Sequence, residues 1–229
     1  MFPFFFDRTM ILILPALAFA IWAQWKVKST YNRYRQVPSR SGLTGERVAR
    51  YILDANGLNN VRVEAVGGEL TDHYHPTDKV VRLSEGIFGS HSLAAIAVAA
   101  HETGHAMQDQ VGYAFMNFRA RLVPVANFGS TLAIPLFLIG MFIPRISWMM
   151  DVGIVFFTGA VLFHIITLPV EFDASRRAIR ILNSGGYLAP DEVQGAKKVL
   201  DAAAWTYVAA ASMAILQLIR LLLIRGSRD

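Results

Sequence analysis

Two long uncharged runs constrain the fold of this chain more than any other feature of its sequence. Residues 122–143 and 152–170 contain no Asp, Glu, Lys or Arg, and each run is long enough to cross a bilayer as a helix. Residues 144–148 between them predict a tight turn, so that the two runs form a hairpin. Hydrophobic residues make up 54% of the 229 positions, which exceeds the usual share in soluble domains. The sequence therefore predicts a mostly α-helical integral membrane protein.

Two further apolar stretches lie near the ends of the chain. Residues 10–25 carry no charge and are followed by Lys26 and other basic residues, which is typical of an uncleaved membrane anchor with a cytoplasmic flank. Residues 202–224 predict a fourth apolar helix, which is long enough to span. If it spans, Arg225 and Arg228 lie outside, against the usual preference of basic residues for the cytoplasm. Whether this helix spans therefore stays open.

The chemically most informative motif is His101-Glu102-Thr103-Gly104-His105, which has the form H-E-x-x-H. On a helix the two histidines lie one turn apart on one face, so that both imidazoles can hold one metal ion. Neutral imidazole suits zinc, and the chain has no cysteine, so any zinc must be held by His, Asp or Glu. Glu102 is placed to act on water at that metal. The alternative is a helix whose His and Glu are ordinary surface residues.

The motif lies where a helix is expected. Ser90 can cap a helix whose first part, residues 91–100, is rich in Ala, Leu, Ile and Val. Gly104 lowers helix stability and needs a reason. Because it has no side chain, another backbone or a substrate could approach the helix closely at that point.

A short sheet is predicted before this helix. Residues 61–66 alternate in polarity and predict a strand, and residues 79–84 predict a second one. An exposed edge strand could bind an extended peptide through main-chain hydrogen bonds, and a structural hairpin is the alternative. Between the strands, Asp72, His73 and His75 predict a loop that lines the active-site cleft. Their compact spacing is unlike that of a zinc motif, so one metal ion is expected and not two.

The distribution of charge predicts the orientation of the chain. Residues 26–50 contain seven Lys or Arg and one acid, and such segments are usually cytoplasmic. We therefore expect Met1 and the turn at 144–151 to lie outside. The predicted segments are an N-terminal anchor at 1–25, a cytoplasmic catalytic region at 26–121, a transmembrane hairpin at 122–170, a cytoplasmic helical region at 171–201 and the C-terminal apolar helix at 202–229.

A zinc site of this kind needs a third protein ligand, with the fourth position left for water. Glu171 directly follows the second uncharged run, which returns the chain to the compartment of the H-E-x-x-H motif. It begins a predicted helix with small residues such as Ser175 on the same face, which permits close packing. Asp173 points about 200° away from Glu171 on that helix and is a poor co-ligand. Glu85 and the two loop histidines remain competing ligands.

Several segments together resemble a known family. They are H-E-T-G-H, D-H-Y-H-P, the K-V-V-R-L-S strand, L-P-V-E-F-D-A-S-R-R-A at 168–178 and A-A-A-W-T-Y-V-A-A at 202–210. They resemble the YugP-type neutral zinc metallopeptidases of prokaryotic membranes over nearly the whole chain. A more distant similarity is to the HtpX-type membrane proteases, whose pattern is H-E-x-x-H followed by E-x-x-x-D. Ser175 stands at the position of that Asp, which would orient a metal-bound histidine.

The resemblance implies one zinc ion on His101, His105 and Glu171, with Glu102 as general base. The expected fold is a helical membrane protein with a small α+β catalytic part of the gluzincin type. The expected reaction is hydrolysis of peptide bonds in protein substrates at the cytoplasmic face of a prokaryotic plasma membrane. The sequence does not name the substrate or the cleavage preference.

Other interpretations stay open. Tyr207 could stabilise the oxyanion, although buried structural tyrosines are commoner. His164 inside the second uncharged run is expected to form interhelical hydrogen bonds. A membrane scaffold or a metal-binding transporter is the alternative function, but a transporter would place more ionisable groups near the middle of the bilayer. The expected partners are a protein or peptide substrate and the lipid bilayer, with an oligomer or a membrane partner protein left open. The +5 net charge is interpreted as a topology signal and not as a nucleic-acid surface.

Overall fold

The computed structural model describes residues 8–227. The first seven residues of the predicted anchor, including Met1, lie outside the described residues, and so does Arg228. The helices are α1 (Ile13–Tyr34), α2 (Gly45–Ala55), α3 (Glu85–Phe88), α4 (Leu93–Gln110), α5 (Ala114–Phe142), α6 (Trp148–Ser184) and α7 (Pro190–Gly226), and the strands are β1 (Arg62–Val66), β2 (His73–His75) and β3 (Val80–Ser84). Short 3-10 helices cover Arg8–Leu12 and Pro144–Ile146.

The predicted helical membrane architecture is confirmed at this level. Four helices in the described chain are long and apolar enough to cross a membrane. They contain the four apolar stretches predicted from the sequence, except that α5 ends at Phe142, one residue before the predicted end. The turn at Pro144–Ile146 separates α5 from α6, as expected for a hairpin. One boundary is wrong: Glu171 does not begin a helix, because α6 runs without interruption from Trp148 to Ser184. Pro169 is accommodated inside it.

The chain divides into two compact units, which are described separately. A helical unit comprises residues 8–24, 117–168 and 206–227. Its core contains Phe137, Met150 and Leu221. Gly153 allows α5 and α6 to approach closely, since a Cβ there would lie 2.6 Å from the Ala133 carbonyl oxygen. The two helices of the hairpin therefore pack backbone against backbone.

An ion pair explains how this unit accommodates the basic end of α7. The Arg225 Nε lies 2.9 Å from Asp151 Oδ1, at the start of α6. Arg225 is one of the two arginines whose predicted position outside runs against the usual charge bias. Its carboxylate partner reduces that conflict, because the pair carries no net charge at neutral pH.

The sheet-containing unit comprises residues 25–116 and 169–205. Its three-stranded sheet has the order β1-β3-β2, with β1 parallel and β2 antiparallel to β3. Both strands predicted at 61–66 and 79–84 are therefore present, but they are parallel neighbours and do not form a hairpin. The segment predicted as a loop at 72–76 contains the edge strand β2, which is a correction. The polar composition of this segment did not predict a strand; the strand forms because Tyr74 pairs with Val81 on β3.

Helix α4 lies at the centre of this unit. One apolar cluster surrounds it on the side of α2, α6 and α7, with Ile52, Ile96 and Leu182 among its members. A second cluster joins it to the sheet through Val81 and Leu83. A helix that is apolar nearly all round is buried on all sides, and most of α4 is buried accordingly. The H-E-x-x-H motif therefore stands on a helix that is buried along most of its length.

Candidate metal centre

Helix α4 carries the two histidines of the motif in its second half. The helix begins at Leu93, where the Ser92 hydroxyl accepts a hydrogen bond from the Ala95 N–H. The predicted cap at Ser90 is therefore wrong by two residues. His101 and His105 lie one turn apart, with ring centroids separated by 4.7 Å and ring planes nearly perpendicular. Both rings consequently point toward the same side of the helix.

Helix α6 packs closely against the side of α4 that carries the two histidines, with its backbone at Gly104. A Cβ built on Gly104 would lie 2.7 Å from the carbonyl oxygen of Ala174, which is closer than non-bonded atoms tolerate. The glycine that costs helix stability therefore has a structural reason, and the neighbour is another backbone, as the sequence allowed. Glu171 lies one helical turn before this contact and only 3% of its surface is exposed.

The structure gathers three potential ligand atoms. Glu171 Oε2 lies 3.3 Å from His101 Nε2 and 3.6 Å from His105 Nε2. The ligand atoms of these three residues all lie within 4.8 Å of one another. Two atoms that each bind a tetrahedral zinc ion at about 2.0–2.1 Å stand roughly 3.3 Å apart. The spacing and the nitrogen and oxygen donors therefore fit a zinc ion.

Each imidazole is held through its other nitrogen. His105 Nδ1 lies 2.9 Å from the Gln108 side-chain oxygen. The Gln108 amide nitrogen donates to the Val170 carbonyl at 2.8 Å and to Asp173 at 2.9 Å. Since the amide nitrogen is occupied, His105 Nδ1–H is the donor to Gln108. Nε2 therefore lies on the Glu171 side, where it can bind a metal ion once it is deprotonated. His101 Nδ1 lies 3.1 Å from the Ser175 hydroxyl.

Gln108 is a residue that sequence reasoning missed. It follows His105 by three positions, and residues three apart on a helix are neighbours, so its spacing was a usable signal. Asp173 is not a member of the ligand cluster; it accepts from the Arg177 Nε at 2.6 Å as well as from Gln108. Its carboxylate therefore reaches His105 only through the Gln108 amide. Ser175, placed where a distant pattern has Asp, contacts the other histidine.

Electrostatics in the cluster favour the protonated form of His105 in the absence of metal. Burial by itself lowers the pKa of His105, but the hydrogen bond and charge of Glu171 more than offset it, with smaller contributions from Glu102 and Gln108. The pKa of His105 is therefore raised above its ordinary value. Zinc binds neutral imidazole, so a proton and a metal ion compete for this nitrogen.

Glu102 lies beside the cluster and is held by the sheet. It is 8% exposed, and its Oε2 accepts a hydrogen bond of 3.0 Å from the main-chain N–H of Tyr74. The Tyr74 hydroxyl donates to Asp109 at 2.6 Å, which ties β2 to the end of α4. Because Tyr74 N–H is directed at Glu102 and not at β3, the Tyr74 carbonyl also faces the free edge of the strand.

The remaining residues singled out in the sequence have other surroundings. His73 Nδ1 lies 2.7 Å from the Thr71 carbonyl, and His75 Nδ1 lies 3.2 Å from Asp78. Both stand on β2, the strand that holds Glu102. Glu85 is exposed at the start of α3. The last two, Tyr207 and His164, belong to the helical unit.

Comparison with known proteins agrees with this chemistry. The model of the family described as "Putative neutral zinc metallopeptidase" matches residues 9–226. The protein named "Putative membrane protease YugP" of Bacillus subtilis (strain 168) is 48% identical over 215 residues, which cover 94% of this chain and 95% of that protein. No solved structure matches the chain at a significant level. With a family match over almost its whole length and a buried His-His-Glu cluster suited to zinc, the protein belongs to this family of zinc metallopeptidases.

Proposed function

We propose that this protein is a membrane-embedded zinc endopeptidase that hydrolyses peptide bonds of protein substrates at the cytoplasmic membrane face. The observation that carries the proposal is the convergence of His101, His105 and Glu171, whose Nε2 and Oε2 atoms stand 3.3 and 3.6 Å apart. Both imidazoles are oriented from behind by hydrogen bonds. Pre-oriented donors of this kind distinguish a metal site from histidines that are merely buried together.

In this proposal His101, His105 and Glu171 hold one zinc ion, in an arrangement of the gluzincin type. When bound, the ion would supply Lewis acidity toward a peptide carbonyl and toward water. Glu102 takes a proton from the attacking water and passes it to the leaving amine, so the two halves of the reaction share one base. Its burial and its hydrogen bond from Tyr74 N–H keep the carboxylate beside the histidines.

The edge strand β2 is proposed to position the substrate. Tyr74 N–H binds Glu102, and the carbonyl on the same side of the strand is suited to accept an N–H of an extended peptide. His73 and His75 flank Tyr74 on this strand and would line the cleft. Main-chain pairing recognises the backbone of a peptide and not its side chains, so we expect broad sequence tolerance.

The proposed role of Glu102 is tested by Glu102→Gln, which keeps the size of the side chain and removes the base. We expect zinc content near that of wild type, and peptide or casein hydrolysis lowered by roughly two orders of magnitude or more. Glu85→Gln is the matched control, since Glu85 is exposed and lies on α3. Wild-type turnover by purified Glu102→Gln protein would reject the role of Glu102 as general base.

The proposed topology keeps the segment bounds predicted from the sequence, with 26–121 and 171–201 in the cytoplasm and 144–151 outside. The cysteine-free chain permits single-cysteine labelling. Asn60 is exposed next to β1 and serves as the cytoplasmic position, while Arg145 in the turn before α6 serves as the outer one. An impermeant thiol reagent applied to intact cells should label Arg145→Cys and spare Asn60→Cys. The reverse labelling pattern would overturn the orientation.

A further inference from the structure

A groove outside the metal centre lies in the sheet-containing unit, where the end of α1 meets the first part of α7. It encloses about 450 Å³, and its walls include Trp25, Lys26, Arg33, Lys198, Asp201 and Trp205. None of these residues belongs to the His-His-Glu cluster or to its hydrogen-bonding partners. The groove is therefore a separate feature that the peptidase chemistry does not use.

The charge of the groove is positive. Among residues 8–227, no carboxylate lies within ion-pair distance of Lys26, Arg33 or Lys198. The acid that lines the groove, Asp201, is bound by Lys197 at 2.6 Å. Three cations therefore face one acid that already has a partner. Such a surface favours an anion with several acceptor oxygens, such as a phosphate ester.

The position of the groove along both helices points to a lipid. Residues 10–25 of the chain are uncharged up to the groove, and on α7 the uncharged stretch begins at 202 and continues to 219. Both helices thus change from charged to apolar at the level of the groove. Trp25 and Trp205 stand at this change with 64% and 44% of their surfaces exposed, as is typical of tryptophan at a membrane interface.

The walls of the groove are fixed by packing and do not depend on a ligand. Tyr34 at the end of α1 is buried in an apolar cluster with Val199 and Leu200 of α7. Gly195 permits this contact, since a Cβ there would lie 2.9 Å from the Tyr34 ring. A preformed site loses less conformational freedom on binding than a mobile one.

We infer that this groove binds the phosphate-bearing headgroup of an anionic phospholipid. Basic pockets between membrane helices on the cytoplasmic side are suited to such headgroups. The inference rests on the proposed membrane embedding and not on peptidase activity. It can therefore be tested in a Glu102→Gln background, where a failure of the proposed catalytic role has no effect on the result.

The test measures retention of lipid by the purified full-length protein in nanodiscs of zwitterionic phosphatidylcholine containing increasing phosphatidylglycerol. The double variant Lys26→Gln/Lys198→Gln removes two cations of the groove. Lys28→Gln/Arg47→Gln removes the same charge from exposed positions that do not line it. We expect native mass spectrometry to show bound phosphatidylglycerol in wild type, about tenfold or more weaker binding in the groove variant, and wild-type binding in the control.

Three outcomes would overturn the inference. Equal losses in both double variants would show a general surface-charge effect and not a site. Equal retention of phosphatidylcholine and phosphatidylglycerol would exclude recognition of anionic headgroups. Inorganic phosphate that displaces phosphatidylglycerol completely at millimolar concentration would identify a small-anion site. Far-UV circular dichroism of each variant, with helicity equal to wild type, ensures that a loss of lipid reports binding and not unfolding.

Discussion

Replacing Gly104 by alanine would place a methyl group 2.7 Å from the Ala174 carbonyl oxygen. The methyl group meets backbone and not a flexible side chain, so α4 and α6 must separate by roughly 0.5 Å to reach a tolerable contact. His101 and His105 stand on one of these helices and Glu171 on the other. The separation therefore adds to the distances between the ligand atoms, now 3.3 and 3.6 Å.

A shift of this size exceeds the tolerance of about 0.2 Å within which metal–ligand distances normally fall. We expect Gly104→Ala to weaken zinc binding by roughly 10- to 100-fold, as other disturbances of ligand orientation do. Overpacking costs about 1–3 kcal/mol, and the higher helix propensity of alanine returns about 1 kcal/mol. The net loss in the free energy of unfolding should therefore be small, about 2 kcal/mol or less. We thus expect a clear loss of zinc affinity in a protein that still folds.

The assay is competition for zinc with a chromophoric chelator, together with thermal unfolding of the zinc-free protein. Gly86→Ala is the control, because Gly86 is also helical and a Cβ there meets no atom within 4 Å. The control should bind zinc like wild type. A folded Gly104→Ala protein with wild-type zinc affinity would refute the reasoning, since the contact between the two helices would then not set the position of Glu171.

Three further predictions concern the same cluster. Glu171→Ala should lose zinc and activity together, whereas Asp173→Asn, which removes the negative charge beside the Gln108 amide, should keep stoichiometric zinc with lower affinity; elemental analysis decides between them. Gln108→Leu should weaken zinc binding roughly 10- to 100-fold and alter the visible spectrum of the cobalt-substituted protein, while Gln110→Leu on the same helix should do neither. Because the pKa of His105 is raised, its protonated form persists to higher pH than in free imidazole. As the pH is lowered, zinc affinity should therefore begin to fall while the pH is still above the ordinary histidine pKa. A midpoint of this fall below the ordinary pKa would contradict the assigned environment.

Local patterns predicted the helices well because their causes are local. The uncharged runs and the H-E-x-x-H spacing act within one helix, and α4, α5 and α6 cover the predicted segments to within two residues at their ends. The strand β2 was missed because three residues of polar character form a strand only through pairing with β3. The start of α4 was misplaced because Ser90 and Ser92 are equivalent caps by composition.

The contacts around the His-His-Glu cluster could not be predicted from the sequence, because they join segments that are far apart in the chain. Gly104 was recognised as unusual, but its neighbour Ala174 lies 70 positions further along the chain. The role of Gln108 as a link between His105 and Asp173 requires two helices to meet at a defined depth. A spacing of three residues permits such a contact but does not reveal that a second helix supplies the rest of it.

The hydrogen bond from Tyr74 N–H to Glu102 has a consequence for how this protein tolerates genetic variation. A main-chain donor is the same in every amino acid except proline. Substitutions on β2 can therefore change the shape and polarity of the cleft while the grip on the Glu102 carboxylate persists. The side chains of β2 can therefore diverge without loss of this hydrogen bond, and the position of Glu102, the proposed base, depends on the backbone of the strand.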